Sequence, residues 1–425
     1  MVKTIYIALS FWLIPLQIFA QIIQLKNPVV NVTISAVGDL MCHSLQYNYA
    51  ELKNGKYDFD PSFKFVKKYF ENSDFVFGNL ETVTAGKSRG YSTYPLFNSP
   101  DEYVTALKNA GFDLLTTANN HALDKGKSGL IRTIGQLEKN NISYTGTFKS
   151  RRDRDSIRIF NIKGIKIAFL AYSYGTNGIP VPKNNPYLIN LIDTSLIHKD
   201  IEHARKNGAE IVLVYFHFGY QYSRKPNDFQ KQIVNETIND GADIIIGGHP
   251  HVLQPVKYFK TREANLDSGF IAYSMGNFFS NQRDRYTDAG IILNITISKN
   301  TFNDSIYISN VSYTPTWIFR GEVNAGTKPG TEKNEFLIIP SEEAFNSISY
   351  SFLNSYDLNK IEQSIRDTKD ILTKYTHEIN IYDYKNDIIQ RLTELAATRP
   401  LARPEIFWNF SRDKMSIFSL IYHSK

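Results

Sequence analysis

The chain has 425 residues, 42% of them hydrophobic and 21% charged, and a formal net charge of +6. That balance supports a real core and excludes general disorder, and the length suits one large α/β domain with an appendage, or two domains. Lys and Arg are spread along the chain with no basic stripe among aromatics, which argues against nucleic acid as the partner and is compatible with an anionic substrate.

Lys3 precedes an almost wholly apolar run from Ile5 to Phe19, and Ala20 offers a small residue for cleavage, so residues 1–20 read as a signal peptide. The run falls short of the roughly 20 residues of a spanning helix and is interrupted by Pro15 and Gln17. Export to the periplasm, the cell surface or the extracellular space is expected. Cys42 is the single cysteine and cannot form an internal disulfide, so the fold is expected to stand on core packing and metal.

Residues 32–37 (VTISAV) form a β-branched strand that stops on Gly38-Asp39. Asp60-Pro61, with Phe63, Val66 and Phe70 at helical spacing, predicts a helix over 58–70. The next strand, DFVFGNLE, ends on Gly78-Asn79-Leu80-Glu81; residues 91–99 are loop, and 102–109 are a helix closed by Gly111. A strand over 112–118 runs into Asn119-Asn120-His121 and then Asp124, followed by a helix over 128–140. Strands at 165–172 and 211–216 flank an amphipathic helix at 196–207, and the second ends on His217. A helix over 227–239 leads to DIIIGGHPH, a buried strand whose turn presents His249 and His251, and FIAY at 270–273 runs into Ser274 to Asn277. From Ile291 to residue 340 the pattern alternates like strands that complete a sheet or cover one side. Residues 341–425 read as mostly helical, with Ile361, Ile365, Ile371 and Leu372 in one segment and Ile388, Ile389, Leu392 and Leu395 in another. This tail is read as a packed accessory or oligomer surface; the oligomeric state itself is left open.

Strands alternating with helices imply an α/β fold, in which ligands gather outside the carboxyl ends of the strands. Six such ends carry Asp, Asn, Glu or His beside Gly, and three carry histidine. Singly, each is explained as a turn or cap residue; together they point to a metal site. Asp39, Glu81, Asn120, His217, His249 and His251 mix oxygen and imidazole donors, which suits a divalent transition metal (Mn, Zn or Fe) better than Ca or Mg. Six candidates exceed one tetrahedral ion, so two ions are expected, with a metal-bound hydroxide attacking an electrophilic centre. His121 would protonate the leaving group or stabilise the transition state, with Asp124 orienting it. Arg283 and Arg285 read first as solvated loop residues, with contact to substrate anions the rival reading.

The ordered set GDLMCH, GNLE, NNHALDKG, HFGYQY, GGHPHVLQP and SMGNFFSNQ resembles the CapA family of poly-γ-glutamate capsule synthesis proteins, a branch of the calcineurin-like metallophosphoesterases. The resemblance covers about residues 32–282. It implies a four-layer αββα sandwich of two mixed sheets with a two-metal site, to which Asp39, Asn120, His217, His249 and His251 match as ligands and His121 as the catalytic histidine. Two places depart from the general phosphoesterase pattern: Met41 stands where a histidine is usual, the nearest being His43, and neutral Asn79 stands where a bridging aspartate is usual, so that either Glu81 beside it supplies the carboxylate or the site binds metal more weakly, with one ion in place of two. The organisation expected is a signal peptide (1–20), a CapA-like domain (32–282), a β-rich completion (283–340) and a helical extension (341–425). The function expected is an exported metal-dependent hydrolase or transferase acting on a phosphoester or an anionic, polyglutamate-like envelope polymer, in association with the membrane or envelope assembly machinery. Hydrolysis of a glutamyl amide is a further option, since the same hydroxide could attack a carbonyl. The alternative from another class is a non-catalytic envelope component that binds or guides a capsular polymer around a structural metal site.

Overall fold

The alternating strands and helices resolve into two mixed sheets. The computed structural model describes residues 29–324, 332–345, 348–375 and 380–381. The expected signal peptide and the second C-terminal helix, around Ile388 to Leu395, lie outside the described residues. In chain order the strands are β1 (Val29–Leu40), β2 (Phe75–Leu80), β3 (Leu114–Thr116), β4 (Ser143–Thr145), β5 (Arg158–Ile162), β6 (Ile165–Ser173), β7 (Ile211–His217), β8 (Ile244–Gly248), β9 (Val256–Lys260), β10 (Ser268–Ala272), β11 (Asn277–Phe279), β12 (Ala289–Asn300), β13 (Ile306–Asn324), β14 (Glu332–Pro340) and β15 (Asn380–Ile381). The first sheet runs β14-β13-β12-β1-β2-β3-β4, with β11 beside β1 and β15 beside β13; the second runs β5-β6-β7-β8-β10-β9. The first sheet is parallel from β1 to its edge at β4, with antiparallel strands on the β1 side only; the second has a parallel centre (β6, β7, β8 and β10) with antiparallel β5 and β9 at its two edges.

The two sheets pack face to face. Ile34, Ala36, Phe77, Leu293 and Ile295 of the first share one buried cluster with Ile167, Phe169, Leu213, Ile244 and Ile246 of the second. Burying each of these Ile, Leu and Phe side chains contributes about 1.5–3 kcal/mol, so the inter-sheet layer contributes heavily to stability. Side chains of opposite parity on the second sheet, Leu170, Val212, Val214 and Ile245, pack outward on Ile197 and Ile201 of helix Thr194–Lys206 and on Ile233 and Val234 of helix Asp228–Asn239. The β2–β3 and β3–β4 crossovers carry helices Asp101–Ala110 and Gly126–Lys139, which bury Val104, Leu107, Leu130 and Ile134. Gly111 closes the first of these in the left-handed region, as its position predicted. The expected α/β sandwich with helices outside is therefore what the chain forms.

β12, β13 and β14 extend the first sheet, and helix Ser355–Leu372 packs through Ile361 on Trp317, Phe319, Leu337 and Ile339. Two expectations need correction. The helix predicted over 58–70 is two short helices, Asp60–Phe63 and Lys67–Phe70. Each aromatic there is drawn to a different neighbour: Phe63 to Tyr103 and Phe279, Phe65 to Tyr350 and Phe352, Phe70 to Phe112 and Phe278. One continuous helix cannot serve all three. The strand predicted over 112–118 shrinks to Leu114–Thr116; the last ladder bond is from the Thr117 N–H to Thr145 O, and the polar loop begins beyond it.

Candidate metal centre at the strand ends

Strand register brings the polar residues together. Asp39 ends β1 and lies directly opposite Asn79 of β2 on one side and Asn277 of β11 on the other. In the second sheet His217 ends β7 opposite Gly248 of β8, so His249 and His251 follow at the same level. The sheets approach closely here: a Cβ on Gly248 would lie 2.1 Å from the Tyr215 hydroxyl and 2.7 Å from Asp39 Oδ1, so only glycine fits. The turn is strained. His249 (φ 96°) and His251 (φ 57°) both occupy the left-handed side of conformational space, as does Tyr222 (φ 65°), whose N–H is pinned 2.7 Å from the Pro250 carbonyl. Such conformations persist where surrounding structure dictates them, commonly at functional sites.

Asp39 is fully buried. Its Oδ1 accepts from Asn79 Nδ2 (2.8 Å), and its Oδ2 accepts from the His249 N–H (3.2 Å) and His251 Nδ1 (3.1 Å). Burial alone would raise its pKa; the His251 hydrogen bond and charge, with His217 and Asn79, outweigh that and bring it to about 2. His251 Nδ1 also donates to Asn277 Oδ1 (3.1 Å), whose own amide is held by Thr287 O and Gln282. Burial opposes the imidazolium, yet the negative charge of Glu81 and the bond to Asp39 lift His251 to about 9. His217 and His249 go the other way, pushed down to about 3 and about 2, chiefly by burial and then by neighbouring imidazoles. Both are neutral at physiological pH, the form in which imidazole binds metal.

Glu81 has the plainest signature. It is fully buried, neither carboxylate oxygen has a hydrogen-bond partner, and burial followed by the charge of Asp39 lifts it to about 8. The nearest imidazole nitrogens are His217 Nε2 at 3.5 Å and His251 Nε2 at 3.8 Å, of which only His251 carries charge at physiological pH. A buried carboxylate without donors is costly unless something else binds it. His249 Nδ1 is likewise buried without a partner. Two trios have donor atoms within 4.8 Å of one another: Asp39, Glu81 and His217, and Glu81, His249 and His251. Glu81 belongs to both, and this donor set suits a divalent transition metal.

Asn120 sits beside this group: its Oδ1 lies 2.7 Å from His217 Nε2, and its Nδ2 donates to Asn177 (3.1 Å). His121 and Asp124 form a pair of their own, Nδ1 to Oδ2 at 2.7 Å, with the imidazole edge-on to Phe97 and Asp124 also accepting from the Phe97 N–H (2.6 Å). The carboxylate requires a proton on Nδ1, which leaves Nε2 for a reacting group. His43, the candidate substitute at the first motif, joins neither trio; it packs edge-on to Phe97 and bonds Gln46 and the Asn281 N–H. Arg283 and Arg285 are scaffold residues: Arg283 lies over Trp317 and bonds Ile318 O, and Arg285 forks onto Asp367.

Three residues escaped the sequence reading. Tyr174, half exposed, lies over His217 and His249 with ring centroids 6.3 and 4.6 Å away; it directly follows β6, a strand end that carries no acid or histidine to flag it. Tyr222 stands 6.2 Å from the His251 ring; it closes the HFGYQY motif, in which only His217 was read as a site residue. Asn277 ends a recognised strand-end motif, but its partner, His251, was not predictable from spacing.

The model of the bacterial capsule synthesis protein PGA_cap family matches residues 33–282. The chain is 32% identical over 273 residues to the "PGA biosynthesis protein CapA" of Bacillus subtilis, covering 63% of this chain and 68% of that protein. It is 32% identical over 259 residues to the "Capsule biosynthesis protein CapA" of Bacillus anthracis, covering 59% of this chain and 60% of that one. Among solved structures, the calcineurin-like phosphoesterase YfkN from Bacillus subtilis overlaps 80% of this chain and 98% of its own at a TM-score of 0.40 and 14% identity. The matched segment contains all eight candidate site residues, and on that match the chain belongs to the bacterial capsule synthesis protein family.

Proposed function

We propose that the chain is an exported, metal-dependent hydrolase of capsule synthesis, acting on a phosphoester or on an anionic, polyglutamate-like envelope polymer. The observation that carries this reading is the pair of buried donor trios sharing Glu81, whose oxygens accept no hydrogen bond. Asp39, Glu81, Asn120, His217, His249 and His251 would hold two divalent ions of Mn, Zn or Fe. Bound there, the ions supply Lewis acidity, activating water and neutralising charge on substrate oxygens.

The chain's own residues do the rest. His121 is held by Asp124 with Nε2 available, so it can pass a proton to a leaving oxygen or nitrogen. Asn277 and Asp39 lock the His251 ring in place. Tyr174 covers His217 and His249 and narrows access of bulk water.

A panel of phosphomonoesters, phosphodiesters and γ-glutamyl amides tests the proposal. Turnover of at least one class, abolished by chelator and restored by Mn or Zn, is expected. One observation favours a second reading, a non-catalytic component that binds or guides a capsular polymer: Asn79 presents an amide where a second carboxylate would strengthen a catalytic pair. A scaffold of that kind would show melting stabilised by metal without turnover of any panel member.

A further inference from the structure

Asn79 and Glu81 stand two residues apart at the end of β2 and meet the same site with opposite chemistry. The orientation of the Asn79 amide is fixed at both ends. Its Oδ1 accepts from Asn119 Nδ2 (3.2 Å) and the Thr116 hydroxyl (3.4 Å). Its Nδ2 faces Asp39 Oδ1 (2.8 Å) and His217 Nδ1 (3.3 Å). Turning the amide over would set oxygen against the Asp39 carboxylate and NH₂ against the Asn119 NH₂, two clashes at once. Asn119 is itself held, since its Nδ2 also donates to Leu80 O (2.8 Å) and its Oδ1 accepts from the His121 N–H (3.1 Å). Residue 79 therefore offers the site hydrogen-bond donors and turns its only ligand atom away. Glu81 has two buried oxygens with no donor and belongs to both trios.

We infer that the bridging role has moved along β2: Glu81 is the carboxylate common to both ions, and Asn79 is a positioning residue whose amide orients Asp39 and His217 without binding metal. The inference rests on the metal-dependent reading above. A shared carboxylate neutralises part of the repulsion between two cations, and the amide lets Asp39 stay ionised beside Glu81 by donating to it. It follows that an aspartate at position 79 is not needed for a two-ion site in this chain.

The experiment loads the purified full chain with Mn²⁺ and measures ions bound per chain and the electron paramagnetic resonance spectrum. Wild type is expected to bind two ions with a spin-coupled signal. Glu81→Gln, nearly isosteric and relieved of a buried charge, is expected to bind at most one ion and to lose the coupling. Glu81→Asp, which restores a carboxylate, regains binding above the Gln variant. Asn79→Ala keeps two coupled ions, with affinity lowered about 10- to 100-fold as for the loss of a residue that supports metal ligands. Two coupled ions in Glu81→Gln, or coupling lost in Asn79→Ala with Glu81 intact, overturns the inference. One uncoupled ion in wild type overturns it while leaving metal dependence standing, and no bound Mn²⁺ in wild type overturns both. Circular dichroism confirms folding of each variant; should Glu81→Gln unfold, the test passes to Glu81→Ala, which also lacks the carboxylate and where two spin-coupled ions would overturn the inference.

Discussion

The two sheets are alike through most of their length and differ where they end. Between them, Ile34 and Phe77 meet Phe169 and Leu213 in an ordinary apolar layer. At the carboxyl ends the first sheet presents Asp39, Asn79, Glu81 and Asn120, and the second presents His217, His249 and His251. One wall is acid and amide, the other imidazole. Neither wall is stable alone: Asp39 stays ionised because His251 faces it, and His251 is charged because Asp39 and Glu81 face it. The apolar layer therefore has a chemical consequence, since it holds two incompatible walls in register.

Removing one wall has the largest expected effect. His249→Ala combined with His251→Ala should abolish stoichiometric metal and bring metal-dependent turnover to background, as measured by elemental analysis and the substrate panel. Turnover unchanged in that variant would separate the chemistry from the imidazole wall. His121→Ala should lower kcat about 10²- to 10⁴-fold while leaving metal content intact; joint loss of metal and rate would instead make His121 part of the centre. A third substitution probes the layer beneath. Leu213→Ala, a fully buried inter-sheet side chain, should cost about 2–5 kcal/mol in urea unfolding and leave metal per folded chain unchanged.

The metal-free protein should also report the opposed walls through pH. His217 and His249 have folded pKa values below the unfolded value near 6.5, so acidification below that point favours the unfolded state, which takes up their protons first. His251 at about 9 and Glu81 at about 8 lie above their unfolded values. Their contributions are fully present below the unfolded values, near 6.5 for His251 and 4.5 for Glu81, and are lost as pH rises through 9 and 8. The urea midpoint of chelator-treated protein should peak near pH ~6.5 and fall on both sides. A monotonic rise toward pH 9 would contradict the assignment to His251 and Glu81. The smallest effect belongs to the outer surface: Arg285→Ala breaks its exposed pair with Asp367 and should leave both the urea midpoint and turnover essentially unchanged. A drop in turnover would revive the substrate-contact reading of that residue.

Much of this was legible in the chain, and the limits follow from physical causes. β-branched runs ending in Gly with Asp, Asn or His identify β1, β2, β7 and β8 and the residues at their ends, because strand propensity and turn chemistry are local. The short strands β4, β5, β9 and β11 show no run of β-branched residues ending on a polar turn, and β5 and β11 are held by hydrogen bonds to the longer β6 and β1. The break between Phe63 and Lys67 came from long-range aromatic packing that overrode helical spacing. At the site, the sequence showed which residue types converge but not how they face. That Asn79 turns its oxygen toward Asn119, that Glu81 is left without a donor and that Asn277 locks His251 are relations between strands far apart in the chain.

The most direct test of the central claim is elemental analysis of the full chain purified without added metal, alongside the His249→Ala, His251→Ala double variant. Stoichiometric Mn, Zn or Fe in the wild type and less than about a tenth of it in the folded variant is the predicted result. Wild-type protein free of transition metal even after incubation with Mn²⁺ and Zn²⁺, or a double variant that keeps its full complement, would contradict it.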